Sequence, residues 1–349
     1  IDNIPQASTG QFAGNAFGGG EFQIAQNPLG NLAPTDIEDI QILKDASATA
    51  IYGSRGANGV IIITTKKGKT GVAKITASTS NTIADATRMR EMMNLDEYAK
   101  YRNEVTGTAA QQYFKEGNEM RYVFSGAVYN PNDPSTYNVL KEHNWQKETY
   151  RSAFSQNYAI SVNGGSETIK YFVSSGYKNI EGLIEKTGIE QGDLRLNLNS
   201  NLSKSVKLNV SMSGSLKKNN MMSGGDTRGG VTGSIARTAI DAAPYEIPEN
   251  DPLLASSPEA RTSIDSWIND YDDITSEKSF RASIDLSWKI SKNFSYNIRT
   301  GGNTMSQNRE RWFGLSLFKG QNDNGSLGLT KLDNSNYTVE NLLNFNKLV

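Results

Sequence analysis

The chain of 349 residues has no cysteine and a single histidine, His143. Without cysteine, neither a disulfide framework nor a thiolate metal site can form. One histidine leaves little room for a histidine metal site or a Ser-His-Asp triad, and we interpret His143 as an ordinary loop residue. The formal net charge of -1 argues against a nucleic-acid-binding protein that depends on a strong positive field. Nucleic acid is therefore not expected as a partner.

Long apolar runs are also missing from the sequence. No segment approaches the roughly 18 apolar residues of a transmembrane helix. The mean hydropathy of -0.54 does not exclude a membrane barrel, because barrel strands hide their lipid-facing side chains in alternation. The first residues, Ile1 to Pro5, have neither the basic start nor the apolar stretch of a signal peptide. We therefore expect the sequence to begin and end inside a longer protein.

Apolar and polar residues instead alternate with a period of two through much of the chain after residue 68. Such alternation is typical of strands with two different faces. The predicted strands are about 9–12 residues long, which exceeds the ordinary 5–6 and matches the 9–11 of a tilted membrane-spanning strand. The eight predicted strands cover 72–83, 154–163, 169–179, 192–202, 206–217, 280–290, 294–304 and 337–347.

Short and long connections alternate strictly between these strands. This order is typical of a membrane barrel with short periplasmic turns on one side and long extracellular loops on the other. Within the long connections, residues 94–105 and 233–243 are predicted to form short helices. The short connections are 164–168, 203–205 and 291–293, and the long ones are 84–153, 180–191, 218–279 and 305–336.

The densest local pattern lies at residues 36–68. An apolar cluster at 37–43 can form a strand or a turn, and residues 45–52 form a helical run with Asp45 as a plausible cap. Three glycines then interrupt the run at positions where positive φ or close approach is expected. The β-branched run at 60–65 predicts a strand buried on both faces, and the lysines after it mark its exit to water.

This stretch, "DIEDIQILKDASATAIYGSRGANGVIIITTKKG", resembles the end of the plug domain in SusC/RagA-type TonB-dependent outer-membrane transporters. A weaker likeness continues through residues 144–217. The matching plug residues are Leu43, Lys44, Asp45, Tyr52, Gly53, Arg55, Gly56, Asn58 and Gly59.

The resemblance implies an all-β membrane protein: an antiparallel transmembrane β-barrel with an α+β plug domain in its lumen. Residues 1–70 would be the C-terminal part of the plug, and residues 71–349 the N-terminal portion of the barrel. A plugged barrel of this type has about 22 strands when complete, whereas about eight are counted here. Eight strands enclose only enough space for their own side chains. The chain is therefore expected to hold only part of the barrel, and strand 337–347 to pair with a strand outside it.

The same resemblance implies TonB-dependent import of oligosaccharides or peptides across the bacterial outer membrane, without catalysis. The implied partners are a SusD-like lipoprotein lid, the TonB–ExbB–ExbD complex and the outer-membrane lipid. The loops would be extracellular and the plug would face the periplasm. One alternative is a siderophore- or cobalamin-type receptor without a lid, although the wording of the motif favours the SusC branch. Another is a surface β-rich carbohydrate-binding or adhesion protein, and an enzyme is the most distant alternative.

Two local patterns resemble ligand sites but are better interpreted as turns. The glycines at 53–59 lack the Gly-Lys-Ser/Thr ending of a phosphate-binding loop, and the strand follows them instead of preceding them. Residues 270–273 and 323–325 can contribute oxygen atoms to calcium sites in loops, but neither completes an EF-hand loop. No other cofactor is expected, and no carboxylate pair has the spacing of a glycosidase site.

Charged residues on the polar face of the strands are the remaining candidates. In lipid such charges would cost about 2–4 kcal/mol each at the midplane, so they should point inward. There they can line a wet lumen or contact the plug. In the loops, Trp267 is a candidate to stack on a sugar substrate. The five predicted lumen-facing residues are Arg195, Lys207, Arg281, Lys289 and Arg299.

Overall fold

The computed structural model describes residues 1–2, 30, 32–45, 53, 56–57, 59–106, 112–123, 127–222, 235–248 and 263–346. These residues form three antiparallel sheets, of two, eight and three strands. The strands are β1 (Ile37–Leu43), β2 (Val60–Thr65), β3 (Gly71–Ala84), β4 (Tyr113–Glu116), β5 (Glu119–Val123), β6 (Tyr137–Leu140), β7 (Ala153–Gly165), β8 (Ile169–Glu181), β9 (Gly188–Asn201), β10 (Val206–Asn220), β11 (Tyr271–Lys289), β12 (Phe294–Phe313) and β13 (Ser326–Phe345).

In the described part of the chain, five α-helices lie in the connections between strands. The predicted helices at 94–105 and 233–243 are confirmed as α1 and α3. None of the helices in the described ranges is long and apolar enough to cross a membrane. The helices are α1 (Leu95–Thr106), α2 (Trp145–Thr149), α3 (Ile235–Asp241), α4 (Ile264–Asn269) and α5 (Phe318–Asp323).

The eight-stranded sheet, here called the wall, dominates the fold. Its order is β3-β7-β8-β9-β10-β11-β12-β13, so each strand lies beside its neighbour in sequence apart from the step from β3 to β7. All eight predicted strands are present. The alternating pattern and the short turns together predict antiparallel neighbours, because the two strands of a hairpin must place their apolar side chains on the same face of the sheet. Within the described residues, β3 and β13 each pair on one side only.

All eight wall strands are longer than the sequence predicts, β11, β12 and β13 most of all, and the predicted long loops are correspondingly shorter. Strands β11, β12 and β13 have 19, 20 and 20 residues. The predicted loop 305–336 is therefore wrong over most of its length, since only 314–325 connects β12 to β13. Likewise 218–279 shortens to 221–270 and 180–191 to 182–187. The added segments carry mainly polar and charged side chains on both faces, with scattered apolar residues such as Tyr271, Trp312 and Leu329, so no sustained apolar alternation marked them.

The register of the wall separates two unlike faces. On the outer face, Leu198, Val210 and Ile284 form one continuous row across β9, β10 and β11. Along β10, the outer-face apolar residues run from Val206 to Leu216, which is about 34 Å of strand, or about 26 Å along the membrane normal at the tilt typical of such strands. This matches the height of about 25 Å expected for the apolar band of an outer-membrane barrel.

The connection between β3 and β7 folds into a separate module on the long-connection side. Helix α1 packs against the three-stranded sheet of β4, β5 and β6, and its core contains Leu95 and Met120. Tyr113 and Tyr245 meet inside this core, with their hydroxyl oxygens 2.8 Å apart. His143, interpreted as an ordinary loop residue, stacks on Trp145 and contacts Glu148 at the edge of α2.

Replacing Tyr245 by phenylalanine is expected to destabilise this module by about 1–3 kcal/mol, because the buried Tyr113 hydroxyl loses its partner. Burial, followed by the neighbouring Tyr113, raises the pKa of Tyr245, and burial also raises the pKa of Tyr113. The pair's contribution to the free energy of unfolding is therefore fully present below about pH 10, the ordinary tyrosine pKa, and is lost as the pH rises further. Limited proteolysis of the complete protein between pH 8 and 11 measures both effects; unchanged cleavage between residues 95 and 245 would contradict them.

Candidate functional site at the seam between the small sheet and the wall

The two-stranded sheet of β1 and β2, here called the small sheet, carries the motif at residues 36–68. The strand predicted at 60–65 is confirmed as β2, paired antiparallel with β1 so that Leu43 faces Val60. Its predicted burial on both faces is wrong. The alternate residues on one face are only half-buried, whereas Ile63 and Thr65 on the other face are each 1% exposed. Ile61 shares the face of Ile63 and Thr65 but is 56% exposed, because the contacts with the wall lie at the Thr65 end of the strand.

The glycines of the motif have the conformations expected of tight turns. Gly53 and Gly59 have φ values of +58° and +96°, which other residues rarely adopt. The Gly59 amide donates to the Gly56 carbonyl at 3.0 Å. Leu43 ends β1, and Lys44 and Asp45 after it are exposed. The predicted helix at 45–52, with Tyr52, and the motif residues Arg55 and Asn58 lie outside the described residues.

A buried ion pair joins the small sheet to the wall. Asp36 ends the 3-10 turn Pro34–Asp36, which begins with a proline in the position that its fixed φ favours. Arg195 projects from β9, and its Nε donates to Asp36 Oδ2 at 3.1 Å. Asp36 and Arg195 are each only 3% exposed. A second carboxylate, Asp2 Oδ2, lies 3.5 Å from Arg195 Nη1.

Further hydrogen bonds extend the seam along the end of β2. Asn197 Nδ2 on β9 donates to Thr65 Oγ1 at 3.0 Å and to the Lys66 carbonyl at 2.6 Å. Asp2 accepts from the Thr65 amide at 2.9 Å and from the Thr65 hydroxyl at 2.8 Å. On β8, Lys178 Nζ donates to the Gly30 carbonyl at 3.3 Å. Paired polar atoms thus stabilise the docking of the small sheet, and none of these buried contacts is apolar.

The linker from β2 to β3 is pressed against the hairpin of β7 and β8. Asn163 on β7 accepts from the Lys69 amide at 2.8 Å and donates to the Lys67 carbonyl at 3.2 Å. Gly68, between these two, leaves no room for a side chain. A Cβ atom there would overlap the Tyr171 amide nitrogen and lie 2.8 Å from the Tyr171 carbonyl carbon.

The register places all five predicted wall cations on the inner face, the face that contacts the small sheet. Arg281 lies in the same row as Arg195, with Ser213 between them. Arg299 instead pairs within the wall, with Asp285 and Glu340 at 3.0 and 3.1 Å. Lys207 and Lys289 are exposed near the short connections. Their lining of a lumen stays a prediction.

Sequence reasoning did not single out several residues that form the seam. Asp36 is only the first residue of the motif in the sequence pattern, and nothing in that pattern marks Asp2. Alternation places Asn163 and Asn197 on the inner face, but the partners of all four residues are more than 60 residues away in sequence. The only local signal for Gly68 was its place at the end of the motif.

The loop candidates occupy a different part of the molecule. The Trp267 ring lies 5.2 Å from the Tyr271 ring and packs beside Phe313 in an edge-on contact. This places it between two buried clusters at the base of the loops. Its role in stacking on substrate stays a prediction.

The carboxylates considered for calcium have protein partners. Asp270 accepts from the Ser316 amide and hydroxyl, each at 2.8 Å, and Asp273 pairs with Arg309 at 2.6 Å. Among the described residues, no group of three or more His, Cys, Asp or Glu side chains is arranged to hold a metal ion. Calcium in the loops remains an untested expectation.

Comparison with known proteins finds relatives in sequence. No protein-family model matches the chain. It is 36% identical over 173 residues to the TonB-dependent receptor SusC of Bacteroides thetaiotaomicron, covering 49% of this chain and 15% of that protein. It is 37% identical over 184 residues to the TonB-dependent receptor P26 of Formosa agariphila, covering 51% of this chain and 17% of that protein. The chain therefore spans only a small part of the length of these curated relatives.

Solved structures show the same fold. A structure of the RagAB peptide importer in its closed-closed state has a TM-score of 0.65 at 19% identity, covering 91% of this chain and 37% of that chain. Its open-open state has a TM-score of 0.57 at 20% identity, covering 81% of this chain and 33% of that chain. At these identities the likeness concerns the fold alone.

Proposed function

We propose that this chain, a relative of the SusC/RagA-type TonB-dependent transporters over part of their length, takes part in energised import across the bacterial outer membrane. One observation carries the proposal: the small sheet with the family motif is seated on the inner face of a wall whose outer face bears an apolar band. In this interpretation residues 1–70 are the C-terminal part of the plug, and residues 71–349 are the first strands of the barrel.

Each face of the wall then has a defined task. The outer face binds lipid through rows such as Leu198, Val210 and Ile284, whose burial in hydrocarbon stabilises the barrel. The inner face holds the plug through Arg195 and Asn197. The connections 85–152, 221–270 and 314–325 lie at the opposite end from the short turns, and we place them outside the cell.

The substrate class that we propose is oligosaccharides or peptides, taken up beneath a SusD-like lipoprotein lid. The support comes from relatives: SusC is a sequence relative, and RagAB, a peptide importer, shares the fold. Energy would reach the plug from the TonB–ExbB–ExbD complex in the periplasm. No step in this proposal makes or breaks a covalent bond, and no cofactor is required.

An uptake experiment tests the import. The complete transporter that contains these residues is deleted from its native strain and restored from a plasmid. A labelled oligosaccharide mixture and, separately, a labelled tryptic peptide mixture are supplied to the cells. We expect one of the two mixtures to accumulate in the periplasm only when the transporter is present, and a protonophore to stop accumulation without preventing surface binding. Equal accumulation of both mixtures with and without the transporter would overturn the proposal.

Purification from outer membranes tests the lid and the location. We expect the transporter to be extracted only with detergent and to bring with it a lipoprotein, identified by mass spectrometry of its acylated N-terminus. Extraction without detergent would instead favour a β-rich adhesion or carbohydrate-binding protein. Absence of a lipoprotein, with import intact, would favour a receptor without a lid.

A further inference from the structure

The charges of the seam converge on one side chain, Arg195. Its Nε and Nη1 atoms face two different carboxylates, Asp36 at 3.1 Å and Asp2 at 3.5 Å. The side chains of Arg195 and Asp36 are 3% and 4% exposed, whereas the side chain of Asp2 is 15% exposed. A buried guanidinium is strongly disfavoured if the carboxylate that neutralises it is removed, because an uncompensated charge is left out of water.

The two carboxylates belong to separate segments of the small sheet. Asp36 precedes β1, and its carbonyl accepts from the Lys66 amide at 2.8 Å. Asp2 donates its amide to the Ile63 carbonyl at 3.0 Å and holds Thr65 through its side chain. Arg195 therefore holds the start of the chain, the turn before β1 and the end of β2 at one corner.

The two contacts of Arg195 differ in strength. The contact with Asp36 is shorter, at 3.1 Å, than the contact with Asp2, at 3.5 Å. The attraction between two opposite charges weakens as their separation grows. A force applied to the chain from its N-terminal side also acts on Asp2 before it acts on Asp36, because Asp2 comes first in the sequence. Arg195 therefore has one contact, with Asp2, that breaks first under force, and one contact, with Asp36, that breaks later.

We propose that Arg195 is a positioning residue for the transport step, here called the latch. It keeps the small sheet seated on β9 and sets the force at which the sheet is released. The Asp2 contact opens first, and the Asp36 contact retains the remainder of the small sheet on the wall. This inference rests on the import function proposed above. It adds the residue that controls release and the order in which its two contacts break.

Four variants of the complete transporter test the latch. Arg195→Ala removes both contacts. Asp36→Asn removes the charge of the contact that breaks later, without changing the size of the side chain. Asp2→Asn does the same for the contact that breaks first. Arg299→Ala is the matched control, since this arginine also pairs with two carboxylates but only within the wall. Outer-membrane abundance is measured for each variant. Uptake is followed with the labelled mixture that the parent imports, and leak with vancomycin, which the intact outer membrane excludes.

For Arg195→Ala and Asp36→Asn we expect vancomycin entry to rise on the order of tenfold, because the loss of a buried charge partner shifts the seated-to-released equilibrium by at least that factor. The leak should persist when a protonophore is present, and the half-saturation concentration for uptake should stay unchanged. Asp2→Asn should not leak but should keep importing at a lower proton-motive force than the parent requires. Arg299→Ala should match the parent in every measurement. Arg195→Lys should restore part of the barrier, since it keeps the charge but not the two-pronged geometry.

The failures of the two proposals are distinguishable. If the parent imports neither mixture, the proposed function is wrong. If the parent imports and Asp36→Asn leaks no more than Arg299→Ala, the latch is wrong while import stands. If Arg195→Ala fails to reach the outer membrane, Asp36→Asn and Arg195→Lys, which disturb the packing less, decide the question. An Asp2→Asn variant that leaks as much as Asp36→Asn would overturn the order of release.

Discussion

Replacing Val210 by arginine is expected to remove the protein from the outer membrane, whereas the same replacement at the adjacent Asn209 is expected to be tolerated. Val210 lies on the outer face of β10, in register with Leu198 and Ile284 near the middle of the apolar band. An arginine at the midplane of the bilayer costs about 2–4 kcal/mol on a lipid-facing strand. Asn209 faces inward and is exposed, so an arginine there stays in contact with water.

The two variants differ by one position along the same strand, which makes each the control for the other. Both introduce the same arginine side chain and the same added charge. Outer-membrane abundance and the temperature at which the folded band disappears in detergent gels are the measurements. If both variants were lost equally, the assignment of the outer face to lipid would be wrong. If both were retained equally, the apolar band would not contact lipid at this level.

Replacing Gly68 by alanine is expected to release the linker between β2 and β3 from the wall. The added Cβ atom would overlap the Tyr171 amide nitrogen, and the surrounding atoms are backbone, which cannot rotate away. Overpacking of this kind costs about 1–3 kcal/mol. The linker must then move outward, which also breaks the two hydrogen bonds of Asn163, each contributing about 0.5–1.5 kcal/mol.

Trypsin reports the release directly, because Lys66, Lys67 and Lys69 flank the glycine. We expect Gly68→Ala to be cleaved in the linker much faster than the parent, and its thermal unfolding to begin earlier. Gly192→Ala on β9 is the matched control, since the nearest atom to its added Cβ, the Gly176 carbonyl oxygen, is 4.0 Å away. Equal cleavage of the two variants would show that the linker does not need the close approach seen at Gly68.

The wall could be predicted from sequence because each of its faces has a different environment. Alternation along residues 154–163 or 206–217 records which side chains share the apolar outer face and which share the polar inner face, and short turns then fix antiparallel neighbours. The same reasoning missed the far ends of β11, β12 and β13. There both faces are mainly polar, and pairs such as Arg309 with Asp273 join neighbouring strands without a sustained apolar pattern.

The motif at residues 36–68 gave the correct family likeness and the correct strand at 60–65, but not how that strand is used. Its β-branched run is typical of a strand buried on both faces, but composition does not show what packs against each face. In the folded chain the wall covers Ile63 and Thr65, while Ile61, farther along the same face, is exposed and the opposite face is only half-buried. Burial depends on what lies opposite a strand, and that neighbour comes from residues far along the chain.

Sequence by itself determined the strands, their order and the inward direction of Arg195, because these depend on local alternation and on chain connectivity. Only the tertiary structure decided that Arg195 meets Asp36, 159 residues earlier in the chain, and that Gly68 touches the backbone of Tyr171. The physical reason is that alternation fixes the face of a side chain but not its partner across the seam. That partner is set by the docking of one sheet on another, which the long-range geometry of the folded chain alone defines.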